Sequence, residues 1–256
     1  MTESTLSAGT TIETREQTAC ASLVLVADGV GGFHFLSRAL QHVIGRLPGA
    51  PEVRTLRWGH GLGRWHSDLT DIVNHRAQAE VLAGQVRAFR ALHPGSPVYL
   101  VGKSGGTGVV VRALEMLPES SVERVILLAP ALSPGYDLTA ALGAVVREVV
   151  VFWSPLDVFV LGLGTRLFGT FDGPRGVSAG LVGFRRPKGL NELGIARYGK
   201  LRQVRWTPSM ARTGYLGGHV GPDSPAFLRR YVVPLLLPPW DLDAGVKPAR
   251  RGVDKH

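Results

Sequence analysis

The sequence has one cysteine, Cys20, in 256 residues. A lone thiol excludes an internal disulfide framework and a cysteine-rich metal site. Apolar runs of membrane-spanning length are missing. The stretch VVPLLLPPW, Val232 to Trp240, is too short for a bilayer and is broken by prolines. The N-terminal MTESTLSAGTTIETREQTA is polar and lacks the apolar core of a secretory leader, so a cytoplasmic location is expected. Acidic residues are also short, 20 against 29 Lys and Arg, for a net charge of +9. The basic groups gather in RRPK (Arg185 to Lys188), in KLRQVR and in the tail KPARRGVDKH. No aromatic interleaving or nucleic-acid module accompanies them. The charge therefore reads as solvated surface, and nucleic acid is not expected as a partner.

What is present is material for a large core, with 45% hydrophobic and 19% charged residues. This length suits one domain with a modest insertion. Residues 1–21 read as an arm, disordered or lying along an edge. Residues 22–240 read as the folded domain, and 241–256 as a basic tail. Short, continuously apolar runs recur: SLVLVA (Ser22 to Ala27), VRTLRW (Val53 to Trp58), Val98 to Val101, RVILLAP (Arg124 to Pro130), EVVVFW (Glu148 to Trp153) and LRQVRW (Leu201 to Trp206). Such runs are typical of covered parallel strands. Helices are expected between them, near Leu36 to Arg46, Asp71 to Leu92, from the serine turn to Pro118, Leu138 to Val146, near Val158, and Ser224 to Leu237. The alternation predicts an α/β fold, a mostly parallel sheet of about six strands with helices on both faces.

The stretch with the most specific signal is PVYLVGKSGGTGVVVRALEML, Pro97 to Leu117. Gly102-Lys103-Ser104-Gly105-Gly106 fits G-x-S-x-G and falls between a strand and a helix, where that pattern requires it. Small residues two positions either side of the serine let strand and helix approach closely, and the hydroxyl projects from the top of the sheet. The same residues do not form a phosphate-binding loop. Pro97 stands where its first glycine belongs, and Val98 to Val101 is strand where loop is needed.

Parallel sheets carry their sites at the carboxyl ends of the strands. After the first run comes Asp28-Gly29-Val30-Gly31-Gly32. After the Glu148–Trp153 run comes Ser154-Pro155-Leu156-Asp157. After the last comes a loop with Gly217-Gly218-His219. Gly29 and Gly31 begin a dinucleotide fingerprint, but His34 occupies its third position, so no such cofactor is expected. In chain order the candidates run Ser104, Asp157, His219, the order of hydrolases with a nucleophile elbow.

On these motifs the chain resembles the α/β-hydrolase superfamily, in its serine esterase and lipase branch, over about Ser22 to Leu237. The resemblance implies a triad with Ser104 as nucleophile, His219 as base and Asp157 as acid. It implies an oxyanion hole from the backbone N–H groups of Gly105 and Val30, and no cofactor or metal. Asp137 is the alternative acid, since some members move that group one strand back. Gly29, Lys103 and Trp153 are candidates for the substrate pocket. Two departures stand out. Asp28 occupies a position where many members have His before Gly, and Lys103 sits where His, Asp, Glu or an aromatic is commoner. Lys103 either sets a cation beside the nucleophile or points into solvent. The implied activity is hydrolysis of a small ester, with thioester, amide or acyl-transfer chemistry and an idle binding site as alternatives.

The link between RVILLAP and EVVVFW is too short for a large lid, so a minimal lid is expected, with residues 154–200 as the place for a small cap. His60, His66, Asp68 and His75 lack a recognised metal spacing and read as loop or structural groups. Asp172, in Phe171-Asp172-Gly173-Pro174, reads as a turn residue.

Overall fold

The computed structural model describes residues 22–237, except 48, 60–70, 159–169 and 174–175. The expected arm, the tail, Cys20, His60, His66, Asp68 and most of the helix near Val158 lie outside the described residues.

Six strands form one sheet: β1 Leu23–Ala27, β2 Glu52–Leu56, β3 Val98–Lys103, β4 Val122–Leu128, β5 Val145–Trp153 and β6 Leu201–Arg205. Every pairing is parallel, and the order is β2-β1-β3-β4-β5-β6. The central strands β1 and β3 are buried at every residue, which is why their sequences are apolar without alternation. The edge strands β2 and β6 are only partly buried and carry the polar residues.

The helices are α1 Phe35–Ile44, α2 Ile72–Leu92, α3 Gly105–Glu115, α4 Thr139–Gly143, α5 Ala179–Val182, α6 Glu192–Tyr198 and α7 Pro208–Ala211. A final helix, α8, covers residues 225–236. Alternate strand residues sort the core into two layers. Leu23, Leu25, Leu100, Leu127 and Val151 face α2 and α3, where Leu82, Val86, Val110 and Leu114 meet them. Val24, Val26, Val101, Ile126 and Val150 face α1 and α8, where Leu40, Phe227, Val232 and Leu236 meet them. Asp71 starts α2 by accepting the Asn74 N–H at 2.9 Å, a side-chain cap.

The fold is thus of the α/β-hydrolase type, as the sequence implied. The differences are local. β5 begins at Val145 rather than Glu148, so the preceding helix shortens to α4. The stretch from 154 to 200 contains α5 and α6, which its glycines had hidden. α8 is not uniform. A π turn at Leu228–Val232 precedes Pro234. Proline inside a helix lacks an N–H and crowds the carbonyl four residues back, and the wider turn accommodates both defects. Among the described residues no helix is long and apolar enough to cross a membrane.

Candidate active site

Ser104 sits between β3 and α3 with φ 51° and ψ −124°. That conformation is strained for any residue with a Cβ and costs on the order of 1–3 kcal/mol. The strain is held by its surroundings. The Ser104 N–H donates to the Leu128 carbonyl at 3.0 Å, and the Ser104 carbonyl accepts from Thr107 N–H at 3.1 Å. The pattern glycines are required by space. A Cβ on Gly106 would lie 2.2 Å from the Ala27 carbonyl oxygen, and one on Gly102 would lie 2.9 Å from the Thr107 Cα. α3 therefore crosses β1 and β3 closely enough to bring its first turn over the loop after β1. Gly105, the first residue of α3, has no intrahelical partner for its N–H.

The loop after β1 meets the elbow from the other side. A Cβ on Gly29 would be 3.4 Å from the Ser104 Cβ, and one on Gly105 would be 2.7 Å from the Val30 side chain. Gly29, Val30, Ser104 and Gly105 are therefore neighbours. Gly31 and Gly32 have φ of 86° and 71°, a backbone that favours glycine. Asp28 is buried. Its Oδ1 accepts the Ser37 N–H at 3.2 Å in the first turn of α1, and its backbone carbonyl accepts the Trp58 indole N–H at 2.8 Å. The unusual acid thus serves a helix N-terminus, where negative charge is favoured.

On the far side of the sheet's top edge, His219 Nδ1 and Asp157 Oδ2 are 2.7 Å apart. Asp157 is buried and follows β5 in a tight turn, its N–H donating to the Ser154 carbonyl at 3.2 Å. The Ser154 Oγ accepts the Leu156 N–H at 3.2 Å, which explains the S-x-x-D spacing. Tyr215 closes over this turn. Burial first, and then the Asp157 charge, push its hydroxyl well above the usual phenol range, against a bond to Ser154. No hydrogen bond joins the Ser104 hydroxyl to the His219 ring among the described residues.

The alternative acid is engaged elsewhere. Asp137 is exposed and its Oδ1 accepts from the Thr139 hydroxyl and N–H, which hold its carboxyl below the usual range. Trp153 lies beneath the Arg205 guanidinium, 5.6 Å from the ring centre, and beside Gly183. His75 is buried and stacks on Phe171 at 3.7 Å. Asp172 does occupy a turn, and it also accepts the Ser133 N–H at 2.8 Å.

Lys103 departs from both expectations. It is buried, not in solvent, and its ammonium is neutralised by Asp223. It therefore supplies no free cation beside the nucleophile. Asp223 and Tyr215 are the two site residues that sequence reasoning missed. Both flank His219 in GYLGGHVGPD, and proximity to a candidate histidine was the available signal.

The sheet order, elbow and strand-end loops define an α/β-hydrolase fold. Solved structures with distant likeness include a cutinase-like protein from Cryptococcus sp., with 15% identity, 86% of this chain and 97% of that chain covered, and TM-score 0.45. The catalytic core of the Trichoderma reesei acetyl xylan esterase gives 16%, 85% and 100%, with TM-score 0.43. The poly(3-hydroxybutyrate) depolymerase of Bordetella parapertussis gives 13%, 90% and 86%, with TM-score 0.48. No protein-family model matches the chain, and no curated protein matches it.

Proposed function

We propose that this chain is a serine hydrolase that cleaves carboxylic esters through an acyl-enzyme. The observation that carries the reading is the strained backbone of Ser104 at the strand-to-helix bend. A residue with a Cβ persists there only when its surroundings enforce it, and such strain concentrates at active sites.

In the proposed reaction the Ser104 Oγ attacks the ester carbonyl carbon while His219 takes the hydroxyl proton. The carbonyl oxygen becomes an oxyanion facing the N–H groups of Gly105 and Val30. Collapse breaks the bond to the alcohol oxygen, which leaves with the proton from His219. Water then attacks the acyl-serine, again losing a proton to the imidazole, which returns it to the Ser104 Oγ as the acyl–oxygen bond breaks and the carboxylic acid departs. Asp157 holds the ring in the tautomer that leaves Nε2 free to accept, and it stabilises the imidazolium. In this reading the Ser104–His219 hydrogen bond forms in the substrate complex, since catalytic bonds are often completed only once substrate is bound.

The rim supports an ester with an apolar acyl group. Phe33 and Phe35, stacked with ring centres 5.6 Å apart, lie just past the β1 loop and are exposed. Leu156 and Val158 flank Asp157, and Leu216 and Val220 flank His219, all exposed.

A fluorophosphonate probe tests the reading. Labelling of the folded protein at Ser104, lost in Ser104→Ala, is expected. Folded wild type that takes up no label sinks the catalytic reading and leaves a hydrolase-like binding protein. A panel of nitrophenyl esters and acyl-CoA thioesters then separates ester from thioester cleavage.

A further inference from the structure

Lys103 ends β3 and directly precedes Ser104. A buried ammonium is costly unless it is paired. Here its Nζ donates to Asp223 Oδ2, with both side chains shielded from water. Asp223 closes the 3₁₀ turn Gly221–Asp223, four residues past His219. The backbone between them is tightly wound. The Gly221 N–H donates to the Gly218 carbonyl and the Asp223 N–H to the Val220 carbonyl, each at 3.1 Å. A Cβ on Gly221 would fall 2.1 Å from the Tyr215 ring, so the turn is pressed against the core. Beyond Asp223 the chain enters α8, whose Phe227 and Leu228 are buried.

We infer that the Lys103–Asp223 pair is a positioning clamp that sets the distance between the Ser104 hydroxyl and the His219 imidazole. The inference rests on the hydrolase reading of those two residues. The Asp157 bond orients the histidine ring, but it anchors the loop only to the end of β5. Among the described residues, the Lys103–Asp223 pair is the hydrogen bond that ties the His219 loop to the elbow at the end of β3. The Trp206 indole N–H also holds this loop, donating to the Tyr215 carbonyl at 2.8 Å, but neither that bond nor the Asp157 bond reaches β3, and the Lys103–Asp223 pair supplies that link. Burial pushes the Asp223 carboxyl above its usual range, and Asp28 adds to the rise, while Lys103 and His219 pull against it by favouring the ionised form. The clamp touches no substrate and acts through short backbone links on both sides. A displacement of about 1 Å at such a site lowers turnover roughly 100-fold.

The test uses the whole chain. First, wild type is treated with a fluorophosphonate. No labelling would sink the hydrolase reading and the clamp with it. Given labelling, Lys103→Met, Asp223→Asn and the double variant Lys103→Met/Asp223→Leu are compared by thermal midpoint, kcat and KM on a nitrophenyl ester. Each single variant leaves a lone buried charge or an unmet donor and lowers both midpoint and kcat. The double variant removes both charges, so its midpoint recovers while kcat stays roughly 10- to 100-fold low. Asp223→Glu serves if the double variant does not fold. It keeps the charges but lengthens the arm by a methylene, and it is expected to lower kcat about tenfold at little change in KM or midpoint. Wild-type kcat in the double variant, or in Asp223→Glu should the double not fold, would reduce the pair to a stabilising contact and overturn the clamp.

Discussion

The Nδ1 of His219 lies 2.7 Å from Oδ2 of Asp157, across 62 positions of sequence. Asp137, the rival acid, spends its carboxylate on Thr139 at the start of α4. Asp157→Asn is therefore expected to cut kcat by roughly 10³- to 10⁴-fold, because an amide at that position favours the wrong tautomer. Asp137→Asn is expected to leave kcat within about twofold. Ester hydrolysis by the two purified variants decides it. The reverse pattern would move the acid to Asp137.

Ser104 offers a test of strain apart from chemistry. Both Ser104→Ala and Ser104→Gly abolish the hydroxyl. Only glycine accepts φ 51° with ψ −124° without a Cβ penalty. Glycine also loses more chain entropy on folding, by roughly 0.5–1 kcal/mol. With strain of about 1–3 kcal/mol relieved, Ser104→Gly is expected to be more stable than Ser104→Ala by about 1 kcal/mol. Urea unfolding of both variants measures it, and a glycine variant less stable than the alanine variant by roughly 0.5–1 kcal/mol would mean the bend stores no strain.

The elbow was legible because its requirements are local. Gly102 and Gly106 are demanded by approaches within one strand–turn–helix unit and across to Ala27, and the five-residue pattern carries that demand directly. The strands were legible because burial on both faces leaves continuous apolar runs. Lys103 was not legible. Its partner lies 120 positions away, in a turn whose sequence, Gly221-Pro222-Asp223, reads like any surface bend. A lysine's burial follows from that distant carboxylate, and no periodicity near Lys103 registers it. The ends of β5 and α4 were misplaced for a related reason. Val145 and Val146 suit a helix or a strand equally, and their pairing with β4 settles the matter at Val122↔Val145.

Glu148 ties three strands together and gives a pH-dependent expectation. It meets the Arg124 guanidinium of β4 at 3.0 Å and that of Arg202 in β6 at 2.6 Å. Burial alone would raise its carboxyl, but the two guanidiniums together outweigh burial and hold it below its ordinary value of 4.5. A depressed carboxyl contributes stability that is present above the ordinary value and is lost as pH falls through the lowered one. Glu148→Gln is expected to cost about 1 kcal/mol at neutral pH, a shift of roughly 2–4 °C in thermal midpoint. The gap between variant and wild type should close as pH drops below 4.5. A gap that persists unchanged into acid would assign the loss to packing instead of charge.

The exposed side chains around the loops bearing Asp157 and His219 bear on chain-length preference. Phe33 and Phe35, just past the β1 loop, and Leu216 and Val220, in the loop that bears His219, leave large apolar areas in water. An acyl chain laid against them removes water from both surfaces, worth about 0.8 kcal/mol per methylene when burial is complete. The ratio kcat/KM should then rise by up to about four-fold for each added methylene from acetate upward until the chain outgrows the wall. Replacing Phe33 and Phe35 together by serine removes the stacked pair and should flatten that slope while leaving acetate hydrolysis nearly unchanged. Acetate serves as the internal control because its acyl group has no methylene to lay against the aromatic pair. A slope identical in wild type and variant would place the acyl chain elsewhere, with Leu156 and Leu216 as the next surface to substitute.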